Sequence, residues 1–185
     1  MKIYLDVDNT VMDSLAMNVK LLNKKFGLKV KPDEVTKWDF DDVFPNATKK
    51  DIYETFDCDE FFENVQLVQG AEYFINSHKE DIIFTTIGTP RNLEKKCEWL
   101  DAHGFGDCKF LGIPTTKTKS DYDMSNGVIV DDAQKNLFAS NAKYKILFNF
   151  RQNWLTDWTD RWFGDTATSY HELASLLYGK KSIIK

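Results

Sequence analysis

Asp6 and Asp8 flank Val7 at the end of an apolar run, residues 3–7. Side chains along a strand alternate between faces, so both carboxylates project to the same side. Like charges this close are unfavourable unless a shared proton or a cation compensates, and a hard divalent cation with oxygen ligands is the natural partner. Asn9 follows, a residue that tolerates the left-handed backbone needed where a chain turns sharply off a strand. An isolated Asp-x-Asp more commonly just ends a strand and caps a turn.

Later strand ends shift that balance. The run beginning Ile82-Ile83-Phe84 ends in Thr85-Thr86-Ile87-Gly88, which supplies a hydroxyl and accessible backbone amides. Residues 108–113 are followed by Thr115-Thr116-Lys117-Thr118-Lys119, a source of positive charge. The run Val128-Ile129-Val130 leads directly into Asp131-Asp132, and uncompensated acids beside a buried strand are costly. Each residue has an ordinary reading, as a strand-ending threonine, a solvated lysine or a turn acid. Nucleophile, hydroxyl, cation and acids in that order at successive strand ends are much harder to attribute to chance.

The elements that must position these groups are β-prone runs at residues 3–7, 82–86, 108–113, 127–130 and 145–150. Helical stretches at 90–103, 133–141 and 170–178 lie between or after the last four, which predicts a parallel α/β sheet. Apolar strands without alternation indicate burial on both faces, with the ligand crevice at the strand C-terminal ends. Roughly 70 residues separate the first two strands, where a crossover helix requires only about 10–12. Residues 12–27 read as a helix, with Leu15, Val19, Leu22 and Phe26 at three- and four-residue spacing, and 49–57 and 70–78 as further helices. The expected organisation is an α/β core of residues 1–13 and 66–185, with a small, mainly helical cap at 14–65 inserted after the first strand. Trp154, Trp158 and Trp162 suggest a helical stripe against the core, with Arg151 or Asn153 a lesser contributor to the crevice rim.

Composition limits the partners. With 42% hydrophobic and 14% aromatic residues and four prolines, the chain is neither disordered nor collagen-like. No apolar run approaches membrane-spanning length, and residues 3–5 are too short for a signal-peptide core, so the expected location is the cytoplasm. A net charge of −5 argues against binding a nucleic-acid polymer, while a small phosphorylated substrate stays open because a local cation can override the average. Cys58, Cys97 and Cys108 read as reduced structural thiols, and His78, His103 and His171 form no ligand pattern. Oligomeric state is not fixed by the sequence; a homodimer is one option.

Asp-x-Asp-x-Thr, the strand-terminal Thr86, a downstream lysine and Asp131-Asp132 resemble the four motifs of the haloacid dehalogenase-like (HAD) hydrolases, and the insertion after the first motif resembles their helical caps. More narrowly, Lys37-Trp38-Asp39, Phe61-Phe62 before Gly70-Ala71, the block Lys96-Cys97-Glu98-Trp99-Leu100 and Val130-Asp131-Asp132 resemble the 5'(3')-deoxyribonucleotidase family. Asn9 stands where glycine is commonest, and Ile87 follows Thr86 where serine or asparagine is frequent.

The resemblance implies a Rossmann-like three-layer HAD core and a magnesium-dependent phosphomonoester hydrolase. Asp6 would attack phosphorus to form an aspartyl-phosphate, and Asp8 would protonate the leaving oxygen and then activate water. Thr86 would bind the phosphoryl group and Lys119 would neutralise charge. Lys119 is preferred to Lys117 because its distance to Asp131 lies closer to the nucleotidase pattern. Magnesium would be held by Asp6, the backbone carbonyl of Asp8, Asp131 and Asp132, with Asp132 favoured as the direct ligand. Substrate contacts fall to Thr10, Thr85, Gly88 and Lys117 near the phosphate and to Trp38 and Phe56 in the cap. Phe40 and Phe44 would join these two in an aromatic wall for a base, or would instead form the cap's own core.

The implied substrate is a nucleoside monophosphate; a sugar phosphate, phosphoglycolate or a polynucleotide end is the alternative within the superfamily. A non-catalytic phosphate- or nucleotide-binding module is the alternative outside it. A response-regulator receiver domain uses similar residues, but places its acidic pair first and its phosphoacceptor on a middle strand, and has no cap insertion.

Overall fold

Six strands form one parallel sheet in the order β3-β2-β1-β4-β5-β6. The computed structural model describes residues 1–151 and 162–182. The strands are β1 (Lys2–Leu5), β2 (Ile82–Gly88), β3 (Lys109–Pro114), β4 (Gly127–Asp131), β5 (Tyr144–Phe148) and β6 (Asp165–Ala167). β1 lies at the centre, with Ile3 opposite Ile82 on one side and Val128 on the other. Successive strands add outward first on one side of β1 and then on the other, so the order reverses beside β1. In open α/β sheets that reversal opens a crevice at the strand C-termini.

Strand alternation divides the apolar residues between two faces. Ile3, Leu5, Val128, Val130, Ile146 and Phe148 pack with Phe74, Trp99 and Tyr170 from helices on one face. Tyr4, Ile129 and Leu147 pack with Ile113, Met124 and Leu137 on the other. The helices are α1 (Ser14–Phe26), α2 (Lys49–Asp57), α3 (Asp59–Asn64), α4 (Ala71–Ser77), α5 (Pro90–Ala102), α6 (Gln134–Ala139) and α7 (Tyr170–Ser182). The result is an α/β fold with helices covering both faces of a parallel sheet.

Local chemistry fixes the helix ends. α1 starts two residues later than its periodicity predicts because the Asp13 side chain caps it by accepting from Ala16 N, and Gly27 closes it in the left-handed conformation at φ 67°. Thr48 and Asp51 make a reciprocal capping box at α2. α5 opens on the Thr89 cap with Pro90 in its first turn.

Between β1 and α4, α1 serves two cores. Its Met17 and Leu21 join the sheet cluster, whereas Leu15, Val19 and Leu22 join Val35, Phe40, Phe44 and Ile52 in a separate cluster. Of the four aromatics considered for a wall, Phe40 and Phe44 are therefore buried in this small core, and no base can stack on them. Burying a side chain of this size contributes about 1.5–3 kcal/mol, enough to claim both rings for packing. Phe40 holds φ 59° to make the turn that inserts them. The short α3 and β6 have no counterpart in the sequence reading. Trp154, Trp158 and Asn153 lie outside the described residues; Trp162 packs against Phe138 and donates from Nε1 to the Asp165 carbonyl at 3.1 Å.

Candidate active site

The C-terminal ends of β1 and β4 bring the acidic residues together. Each of Asp6, Asp131 and Asp132 presents a carboxylate oxygen within 4.8 Å of the others, and all three are buried. Lys119, carried in by the 3-10 turn Lys119–Asp121, is fully buried among them. Its Nζ donates to Asp6 Oδ1 at 2.6 Å, to Asp131 Oδ2 at 2.5 Å and to the Thr85 carbonyl at 3.0 Å. Lys117, by contrast, is exposed, with its ammonium 5.6 Å from the centre of the Tyr122 ring. The expected contact of Lys117 with substrate is thus not assembled; two residues of register turn it to the surface.

Charge balance favours a further cation. Burial, the largest influence, raises the Asp6 carboxyl to about 7; Lys119 pulls it down, and Asp131 and Asp8 push it up. Burial also lifts Asp132 well above the usual carboxylate range, with Asp6 and Asp131 adding to the rise and Asn9 opposing it. For Lys119, burial works against the charged form, but Asp131 and Asp6 outweigh it and raise its pKa. Three buried acids around one ammonium, all with oxygen donors, fit a hard divalent cation. Asp131 is already committed: besides Lys119, its Oδ1 accepts from Ala133 N at 2.9 Å and Asn136 Nδ2 at 3.1 Å. Asp132 accepts from Asn9 Nδ2 at 3.0 Å through Oδ2.

Asp8 sits beside this cluster and is more accessible. Ser14, the first residue of α1, donates to its Oδ1 at 2.8 Å, and Lys96 of α5 bonds its Oδ2. The Lys96 ammonium also donates to Thr86 Oγ1 at 2.9 Å, tying the ends of β1 and β2 together. Lys96 is only 1% exposed. In the sequence it opens the block Lys96-Cys97-Glu98-Trp99-Leu100, which carries the family resemblance but assigns Lys96 no role. A signal was present: Asn92, Lys96, Trp99 and Leu100 recur at the spacing of one helix face and are all buried, so this lysine stands on the inward stripe of α5. A buried lysine requires a partner, and Asp8 supplies it.

Thr10 and Thr85 contribute through their backbones. Both side-chain hydroxyls are buried without a partner. The Thr10 carbonyl accepts from Tyr170 Oη at 2.7 Å, and the Thr85 carbonyl accepts from Lys119. Strand alternation turns the Thr85 side chain away from that of Thr86. Gly88 admits α5: a Cβ there would lie 2.4 Å from Asn92 Oδ1. Asn9 adopts the left-handed conformation at φ 52° and also bridges, accepting from Leu15 N at 2.8 Å while donating to Asp132. Phe56 is half-buried and packs against both the sheet core and the small core. Trp38, partly exposed, has the Lys135 ammonium 5.4 Å from its ring centre. At the end of β5, the Arg151 guanidinium pairs with Asp13 and, at 3.3 Å, with Asp33.

Comparison with known proteins agrees with this architecture. Solved structures similar to the chain include a haloacid dehalogenase-like protein from Agrobacterium tumefaciens, with TM-score 0.68, 10% identity, and coverage of 97% of this chain and 98% of that one. A haloacid dehalogenase-like hydrolase from Streptococcus pneumoniae gives 0.63 at 12% identity over 95% and 97% of the two chains. A HAD family hydrolase from Deinococcus radiodurans with bound phosphate and sodium gives 0.63 at 12% identity over 95% and 94%. At such identities the likeness concerns the fold, which is that of the HAD hydrolases. No individual curated protein matches the sequence. A family model described as 5' nucleotidase, deoxy (pyrimidine), cytosolic type C matches residues 1–175, nearly the whole chain, and the chain belongs to that family.

Proposed function

We propose that this chain is a magnesium-dependent 5'-nucleotidase that hydrolyses deoxynucleoside monophosphates in the cytoplasm, with residues 14–65 acting as a cap over the crevice of an α/β core. The observation that carries the reading is the buried Asp6 carboxylate at the end of the central strand, 2.6 Å from the Lys119 ammonium and within 4.8 Å of Asp131 and Asp132. The family match supports the substrate class, and the phosphate and sodium bound by the Deinococcus hydrolase support an anion and a cation as ligands of this fold.

In this reading Asp6 attacks phosphorus in line, the ester oxygen departs, and water hydrolyses the aspartyl-phosphate. Lys119 keeps the Asp6 carboxylate ionised and aimed. Asp8 gives a proton to the departing oxygen and takes one from water, held for both duties by Ser14 and Lys96. Lys96, between Asp8 and Thr86, is placed to neutralise the transferring phosphoryl group that Thr86 binds. Phosphoryl transfer depends mainly on such positioned charge. Asp6, the Asp8 carbonyl and Asp132 would hold magnesium, with Asp131 orienting the set through Lys119. When bound, the ion would neutralise phosphate charge. Among the described residues no helix is long and apolar enough to cross a membrane.

The test is magnesium-dependent phosphate release from a panel of deoxy- and ribonucleoside monophosphates beside small sugar phosphates. Release from the nucleotides is the expected result. Activity confined to sugar phosphates would reject the nucleotidase reading and leave the covalent mechanism intact; inactivity on every substrate would reject both.

A further inference from the structure

Three helices close around the space next to Asp8. Ser14 of α1 bonds Asp8, and one turn along the same helix Asn18 meets Thr55 of α2, with Oδ1 2.8 Å from the Thr55 hydroxyl. The carbonyl of Phe56, the next residue, accepts from Asn92 Nδ2 of α5 at 2.8 Å. One turn on from Asn92, Lys96 returns to Asp8. The circuit therefore begins and ends on Asp8, the carboxylate proposed above to protonate the leaving oxygen, and passes through Asn18. The four residues from Ser14 to Asn18 rise about 6 Å along the helix axis, at about 1.5 Å per residue.

Asn18 is the unusual member. It is 1% exposed, yet its Nδ2 has no hydrogen-bond partner. A buried amide left half-paired is unfavourable, a penalty that an acceptor on a ligand relieves. Packing alone would not select it: Asn18 lies on α1 between the stripe of Met17 and Leu21, which joins the sheet core, and that of Leu15 and Leu22, which joins the small core. The amide thus lies at the seam between the two cores, one turn along α1 from the Ser14 that bonds Asp8.

We propose that Asn18 is a specificity residue, donating its unpaired Nδ2–H to an acceptor oxygen on the nucleoside part of the substrate. This rests on the nucleotidase reading above and assigns a residue to it. The acceptor is a base carbonyl or a sugar oxygen, and both present the same chemistry to an amide donor.

The experiment compares wild type with Asn18→Leu and Asn18→Ser on three substrates: deoxyuridine 5'-monophosphate, deoxyribose 5-phosphate and phenyl phosphate, whose leaving alcohol offers no comparable acceptor. The expected result in both variants is a fall of about five- to tenfold in the ratio of kcat/KM for the nucleotide to that for phenyl phosphate, expressed mainly in KM. A parallel fall with deoxyribose 5-phosphate assigns the acceptor to the sugar; its absence assigns the acceptor to the base. An unchanged ratio, whether all substrates fall together or none does, would overturn the proposal, as would loss of folding in both variants, which would assign Asn18 to packing. Wild-type protein that hydrolyses phenyl phosphate but not the nucleotide would instead reject the nucleotidase reading itself.

Discussion

Lys96 and Asp8, 88 residues apart, form a contact between a lysine 1% exposed and a carboxylate that remains partly accessible. The ammonium also holds Thr86, so one side chain from α5 sets the relative position of the carboxylate proposed to transfer protons and the hydroxyl proposed to bind phosphate. Lys96→Met keeps the aliphatic stem and removes the charge. The expected outcome is a fall in kcat/KM of about 10²-fold or more, as when one preorganised donor is lost from a site of developing charge. Thermal stability should change little, because an apolar replacement relieves the cost of burying an ammonium. Steady-state kinetics beside a thermal melt checks both.

Asp6→Asn retains shape and an acceptor for Lys119 but removes the proposed nucleophile. Turnover should drop below about one-thousandth of wild type while the melting temperature stays the same or rises, since one of three crowded acids has been neutralised. Near-normal hydrolysis by a folded Asp6→Asn protein would sink the covalent mechanism.

Lys119 has the opposite expected balance. Its removal in Lys119→Met leaves Asp6 and Asp131 buried without their common cation, and breaking such a pair costs about 3–5 kcal/mol. The melting temperature should fall by many degrees, and magnesium should restore part of the loss if it binds the same acids. Melts with magnesium and with a chelator measure this.

Asn9 separates backbone from side chain. Asn9→Gly keeps the left-handed turn and loses the bond to Asp132, whereas Asn9→Ala loses the bond and adds strain of about 1–2 kcal/mol. Both variants should need roughly tenfold more magnesium for half-maximal activity, since the lost bond orients Asp132, the proposed metal ligand. Only Asn9→Ala should be clearly less stable than Asn9→Gly. Magnesium titrations and denaturant unfolding give the two readouts.

Chelation should abolish phosphate release, and magnesium should raise the melting temperature of wild type by mass action on the folded state. Asp132→Asn should lose most of that increment. If it keeps the full increment, the cation sits elsewhere.

The sequence by itself determined the sheet and the order of groups at its strand ends. β1, β2, β4 and β5 are mainly apolar runs whose burial is written in their composition, and β3 is an apolar run at the sheet edge. Asp6, Thr86 and the Asp131-Asp132 pair follow those runs directly, so placing the strand places the residue. The left-handed turn at Asn9 was equally local, because it depends on one residue's backbone preference. Tertiary structure decided everything that reaches in from elsewhere. Whether Lys117 or Lys119 meets Asp6 depends on two residues of register in a loop, and a lysine offers no periodic signal there. Lys96 and Asn18 depend on the rotational phase of α5 and α1, which is fixed by packing against elements far away in the chain. Phe40 and Phe44 went to a small core because apolar burial outweighed any role in stacking. Short elements such as β6 and α3 hold too few residues to show a period.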